Sequence, residues 1–213
     1  MPHVSLETIA RQLSDLARCG PQDLCGQIVQ QVRRGKPVTR AALATSLETS
    51  QHDLSHRLAH LPDVEVDQQG NILGWGLTLV PTPYQVQMGD QSLFTWCAFD
   101  TIQFPPTLQA EVHVQSTCAA TGQPISFVVT AEGNIRDLTP AEAHMSLIVP
   151  AQGCGSSGGD SVRTAFCEQS LFFHSEQAAS TFLAAHPEAE LLSLEEAATL
   201  GKLVTQSCLR VAS

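Results

Sequence analysis

The apolar residues change their spacing once, near residue 62, and that change constrains the fold more than any other feature of the chain. Before it the period is helical. Leu6, Ile9, Leu13 and Leu16 form one stripe over residues 5–18. Gly20 ends that helix, and Pro21 suits the first turn of the next. Leu24, Ile28 and Val32 mark the second, closed by Gly35 and Pro37. Thr39 can cap a third short helix holding Leu43 and Leu47. Ser50 with Asp53 reads as a capping box for a fourth, with Leu54, Leu58 and Leu61 inward. After the change the period is two: Val64 and Val66, then Leu73, Trp75, Leu77 and Leu79, around a Gln69–Gly70–Asn71 turn. Helices followed by a hairpin predict a winged-helix-like helical subdomain over residues 1–80.

Residues 81–213 read as a separate α+β core. Strand-like alternation occurs at Leu108, Ala110, Val112 and Val114, and at Ile125, Phe127 and Val129. Met145–Val149 and Ala165–Phe173 are further strand candidates. Gly153–Asp160 has the composition of a flexible loop. Helices are predicted over Glu176–Ala185 and after Ser193, which forms a capping box with Glu196. The expected architecture is therefore α+β: a helical N-terminal part, then a mixed or antiparallel sheet with C-terminal helices.

Charge and cysteine usage exclude several functions. The net charge is −10, and it is uneven: residues 1–80 hold seven Lys/Arg against eight Asp/Glu, the remainder four against thirteen. Phosphate binding needs a basic surface. The helix that would read DNA, Ser50–Leu61, has Arg57 as its one permanent cation, so Arg33, Arg34, Lys36 and Arg40 are read as a solvated edge and nucleic acid is not expected as a partner. No apolar run approaches membrane-spanning length, and the first residues lack the pattern of a signal peptide, so a cytoplasmic location is expected. The seven cysteines are an odd number with no Cys-x-x-Cys pair, which argues against a disulfide framework or a zinc knuckle and reads them as free thiols.

Chemistry concentrates in Gln91–Ala110, where Asp100 is the one charged residue among Phe94, Trp96, Phe99, Ile102 and Phe104. Burial raises a carboxyl pKa, and a carboxyl that keeps its proton near neutrality is a useful acid. The plain alternative is an Asp that caps a helix starting at Thr101. Cys97 lies three residues earlier and shares a face with Asp100 if Trp96–Asp100 is a helical turn. A buried cysteine is by default an inert small hydrophobe; the neighbouring acid and aromatic wall lift Cys97 above that default. Cys118, in Cys118-Ala-Ala-Thr-Gly122, reads as structural. Cys167 lies in a strand-like run, and no spacing ties it to Cys97.

Taken together these stretches resemble the organomercurial (alkylmercury) lyases. The resemblance rests on Gly35-Lys-Pro-Val38, Gly70-Asn-Ile72, Gly76-Leu-Thr-Leu79, Trp96-Cys-Ala-Phe-Asp-Thr101 and Phe104-Pro105, then Cys118-Ala-Ala-Thr-Gly122, Phe166-Cys167 and Phe172-Phe173. These motifs run in order over roughly Gly35–Ser175. The resemblance implies protonolytic cleavage of a carbon–mercury bond. Cys97 and Cys167 would be the catalytic thiols, Asp100 the acid, all three meeting the substrate or product mercury, and Cys118 a structural thiol. It implies no cofactor, a substrate delivered as a thiol adduct, and transfer of mercury(II) to a mercuric reductase. The second cysteine frequent in the family directly after Cys167 is Glu168 here, so an auxiliary thiol is missing, and Cys154 is peculiar to this chain.

The chemistry suits the residues. Mercury(II) is soft and prefers thiolates. A second thiolate loads electron density onto mercury and makes the attached carbon more basic, after which Asp100 can deliver a proton. Trp96 and Phe99 would supply an apolar wall. Two rivals are a metal-responsive DNA-binding regulator and a cysteine hydrolase using His113, His144 or His174 as base.

Overall fold

The structure, a computed structural model, describes residues 5–16, 23–149 and 161–211. The Gly20–Pro21 break and the Gly153–Asp160 loop with Cys154 lie outside the described residues.

Four helices come first: α1 (Leu6–Leu16), α2 (Leu24–Val32), α3 (Arg40–Ser46) and α4 (Gln51–Ala59). Their apolar stripes face inward; Ile9, Leu13, Ile28, Val32, Leu43 and Leu54 are all buried. Thr39 Oγ1 accepts the Ala42 N–H at 3.1 Å, and Ser50 Oγ accepts the Asp53 N–H at 3.0 Å. Each side chain satisfies one N–H that a helix start leaves open.

The chain then enters strands β1 (Glu65–Val66), β2 (Ile72–Trp75) and β3 (Leu77–Thr78). Alternation through Leu79 predicts one strand where the structure has two. Gly76 turns the chain back at φ +71°, so that Gly74 pairs with Thr78. A Cβ at Gly76 would meet the Phe104 ring at 2.7 Å, so both its conformation and its neighbour require glycine.

Beyond residue 80 come β4 (Tyr84–Met88), β5 (Gln91–Thr95), α5 (Ala98–Leu108), β6 (Val112–Thr117), β7 (Pro124–Val129), β8 (Ile135–Thr139) and β9 (His144–Leu147). They are followed by α6 (Val162–Ala165), a 3-10 turn at Cys167–Gln169, β10 (Phe172–Phe173), α7 (Glu176–Ala185), β11 (Glu190–Ser193) and α8 (Leu194–Val211). Strands β1 to β8 make one antiparallel sheet in the order β1-β2-β3-β5-β4-β6-β7-β8, which crosses residue 80 without a break. A second sheet has the order β10-β9-β11. The fold is thus α+β with antiparallel sheets. Among the described residues no helix is long and apolar enough to cross a membrane.

Three expectations need correction. Leu108 closes α5 rather than opening a strand, because Gln109 adopts the left-handed conformation and the Ala110 N–H closes on the Pro105 carbonyl. Ala165–Phe173 is not one strand: Cys167 sits on the 3-10 turn, between α6 and the two-residue β10. Cys25 is disulfide-bonded, against the reading of every cysteine as a free thiol, whereas Cys97, Cys118 and Cys167 are free. For the site, the central element is α5, which lies against β4, β5 and β9 and is backed by α8, itself packed on α1.

Candidate active site

β5 delivers the chain to the start of α5, and Cys97 occupies the N-cap position in an extended conformation. The helix starts at Ala98, not at Thr101, so Asp100 stands in its first turn rather than capping it. Cys97 makes no capping hydrogen bond of its own. The open N–H groups are satisfied from elsewhere. Ala98 donates to the Ser170 carbonyl at 3.1 Å, and Phe99 donates to Ser170 Oγ at 3.0 Å. A serine 71 residues away thus caps α5, while the Cys97 sulfur takes a hydrogen bond from the Asp100 backbone within the cluster.

The same serine fixes the second thiol. The Ser170 N–H donates to the Cys167 carbonyl at 3.2 Å, and the Tyr84 hydroxyl donates to the Ser170 carbonyl at 3.3 Å. Ser146, on β9, grips the strap from its other side: its hydroxyl donates to Gln169 and accepts from the Leu171 N–H. Ser146 and Ser170 are both fully buried. Arg163, on α6, ties the approach to Cys167 to β1. Its guanidinium pairs with Glu65 at 2.7 Å and lies 5.2 Å over the Trp96 ring, and its backbone N–H donates to Asp63.

As a result Cys97 Sγ, Cys167 Sγ and a carboxylate oxygen of Asp100 all lie within 4.8 Å of one another, and all three residues are buried. Among the described residues this is the one group of three or more His, Cys, Asp and Glu side chains that could hold a metal ion. Burial pushes the Asp100 carboxyl up to about 6, against hydrogen bonds from the Cys97 thiol and from the Cys97 and Trp96 backbone that pull it down. Burial likewise raises the Cys97 thiol. The hydrogen bond that the Cys167 thiol donates to Cys97, then burial, hold it well above the ordinary range. The cluster itself therefore keeps both sulfurs protonated at neutral pH beside an acid that titrates at about 6. Asp100 Oδ2 has no hydrogen-bond partner, an uncommon state for a buried carboxyl oxygen. Phe99 packs edge-on against Phe166, the residue before Cys167, and Trp96 packs on Trp75.

The remaining sequence candidates lie elsewhere. Cys118 is not in the cluster; its sulfur meets His174 Nδ1 at 3.4 Å. His144 Nδ1 is 2.7 Å from the Glu142 carbonyl, and His113 lies exposed beside Glu111, so these histidines are committed away from Cys97. Glu168 is exposed. Sequence reasoning missed Ser170, Ser146, Tyr84 and Arg163. No local signal marks them, because each acts on a partner remote in the chain.

Fold and cluster together define a class: α+β proteins with a buried, ion-sized group of two thiols and a carboxyl, a donor set suited to soft metals. The chain belongs to the alkylmercury lyase family, whose MerB model matches residues 77–206. It is 36% identical over 177 residues to the alkylmercury lyase of Bacillus cereus, covering 83% of this chain and 78% of that one. It is 37% identical over 182 residues to the alkylmercury lyase of Pseudomonas putida, covering 85% and 82%. A solved structure, the mercury-bound form of MerB2, superposes with a TM-score of 0.75 at 24% identity over 95% of this chain and 98% of that one, which supports the fold.

Proposed function

We infer that the chain is an organomercurial lyase and that Cys97, Cys167 and Asp100 carry its reaction. The observation that supports the assignment of residues is the convergence of two thiols, 70 residues apart in sequence, on one carboxyl. The substrate enters as R–Hg–SR′. The Cys97 thiol replaces R′S on mercury, and the proton it loses leaves with R′SH. Cys167 then gives its proton to the Asp100 carboxylate and becomes the second sulfur on mercury. The raised pKa of the thiols opposes that transfer in the free protein, and binding of the thiolate to the soft cation offsets it. The carbon–mercury bond breaks as its electron pair takes the proton from Asp100. The products are RH and mercury(II) held by Cys97 and Cys167, with Asp100 again a carboxylate. The proton cycle closes without an electron-transfer step, so the reaction as written calls for no cofactor. Trp96 and Phe99 would keep the apolar group R out of water.

Release of benzene from a phenylmercury thiol adduct, followed by gas chromatography, tests this. Cys97→Ser and Cys167→Ser should each abolish release; full turnover in either removes that thiol from the scheme.

We further propose that residues 1–80 form a winged-helix-like subdomain that acts as scaffold. Arg33 donates to the Leu108 carbonyl at 3.0 Å and Arg40 to the Gly70 carbonyl at 3.3 Å, so two of its cations serve internal contacts rather than a phosphate backbone. We place the reaction in the cytoplasm and its mercury(II) product in transfer to a mercuric reductase, since a bis-thiolate ion leaves by exchange with other thiols.

A further inference from the structure

Tyr84, the chain's one tyrosine, is bonded to the carriers of both thiols, and the reaction above gives it no part. Its backbone lies on β4 opposite Thr95 of β5, the strand that delivers Cys97. The Tyr84 N–H donates to the Thr82 hydroxyl at 3.1 Å, and that hydroxyl donates to the Thr95 carbonyl at 2.6 Å. The Thr95 hydroxyl in turn donates to the Cys97 carbonyl at 3.0 Å. The far end of the Tyr84 side chain reaches the other carrier. Its hydroxyl donates to the Ser170 carbonyl at 3.3 Å, and the Ser170 N–H donates to the Cys167 carbonyl at 3.2 Å. Between these two ends the residue is buried, and its ring packs edge-on against Phe172 at 5.9 Å, so packing holds one rotamer.

The Ser170 carbonyl also accepts the Ala98 N–H at 3.1 Å, so this buried oxygen is satisfied without the phenol. What the phenol adds is a reference to the large sheet for the strap that carries Cys167, which Ser146 otherwise ties to β9. Cys97 does not need that reference. Thr95, and the Trp96 N–H on the Gly76 carbonyl at 2.8 Å, already hold its segment to the sheet. We propose that Tyr84 is a positioning residue whose hydroxyl sets the spacing of the two sulfurs and so governs closure of the second sulfur–mercury bond, at Cys167. The proposal rests on the lyase reading given above. In that step the Cys167 sulfur bonds to mercury and its proton passes to the Asp100 carboxylate, before the bond to carbon breaks. Such a closure is sensitive to place, since a misplacement of about 1 Å can cost about a hundredfold in rate. The hydroxyl acts as a neutral donor and not as an acid. Burial, then the negative charges of ionised Cys97, Cys167 and Asp100, raise it above the ordinary phenol range, so it keeps its proton throughout.

The test compares the full chain with Tyr84→Phe, which keeps the ring and removes one oxygen. With phenylmercury as its glutathione adduct, kcat should fall about tenfold, while KM, set by exchange at Cys97, should stay within about twofold. Affinity for mercury(II), measured by competition with glutathione, should weaken by a similar factor, because both sulfurs must share the ion. The same substitution is then made in Cys167→Ser, which captures phenylmercury through Cys97 alone. There Tyr84→Phe should leave phenylmercury affinity unchanged, since no second sulfur remains to be placed. A comparable loss of phenylmercury affinity in Cys167→Ser overturns the proposal, and so do parent values of kcat and mercury(II) affinity in Tyr84→Phe. If Tyr84→Phe does not fold, 3-fluorotyrosine incorporated at the one tyrosine reads the same coupling with the hydroxyl in place. Its fluorine resonance should move when mercury(II) engages Cys167 and hold still when phenylmercury loads Cys167→Ser. Equal movement in both, or none with mercury(II), overturns the proposal. The mercury(II) measurements need no carbon–mercury cleavage, so absence of benzene release by the parent would count against the lyase reading alone.

Discussion

Two regions begin their helices in opposite ways. α3 and α4 are capped by the residue immediately before them, Thr39 and Ser50. α5 has cysteine at that position and receives its cap from Ser170, 71 residues on. A local cap costs little entropy to form and holds one helix. The remote cap orders a strap as well, and that strap carries Cys167. The difference teaches that α5 exchanges a good local cap for a thiol at the cluster, and that the substituting bond also aligns the site.

The largest effect should come from Asp100→Asn, which leaves the first turn of α5 in place and removes the acid. Turnover should fall by ~10²–10⁴, the usual worth of a positioned proton donor. If benzene release were unchanged, α5 would be an ordinary helix with an unusual cap.

The same substitution sharpens the comparison through stability. The Asp100 pKa is raised from 3.8 to about 6, so the native state binds this proton more tightly than the unfolded state. The stabilisation linked to that proton is complete below ~4 and is lost as pH rises through about 6. By pH 8 the buried carboxylate costs up to about 3 kcal/mol, which Asn does not incur. Urea denaturation should show Asp100→Asn gaining on the parent from pH 4 to pH 8. An equal difference at both pH values would place Asp100 in a solvated setting.

How far the sequence discloses the molecule follows the same line. Helical stripes and adjacent caps are contained in a few consecutive residues, so α1 to α4, α7 and the Ser193–Glu196 box at α8 were readable. Cys97 and Asp100 lie within one turn and were readable too. The 3-10 turn under Cys167 was hidden, because Phe166 and the Phe172–Phe173 pair supply apolar residues that mimic a strand. β4 with β5, and β11, were not anticipated, since their pairing depends on partners elsewhere in the sheets. Resemblance to a family, not spacing, brought Cys167 to Cys97. Ser170 stands between Gln169 and Leu171, and nothing local distinguishes it.

Ser170→Ala tests the remote cap directly. It leaves the buried Phe99 N–H without a partner, which should cost ~1–3 kcal/mol. Turnover should also fall, on the order of tenfold, because the strap that carries Cys167 loses one of its two bonds to α5 and keeps the other, from the Ala98 N–H to the residue-170 carbonyl. Unaltered turnover with lowered stability would make Ser170 a cap and nothing more.

The smallest effect should come from Thr39→Ala, and it is the control that gives the others meaning. Thr39 makes the same kind of bond, hydroxyl oxygen to helix N–H at 3.1 Å, but on an exposed helix start. Water can replace it there, so the loss should be about 1 kcal/mol. No thiol depends on α3 for its position, so benzene release at a temperature well below unfolding should match the parent. If Thr39→Ala reduced turnover as far as Ser170→Ala does, the loss in both variants would reflect general destabilisation, and the distinction between a cap that holds a helix and one that builds a site would fail.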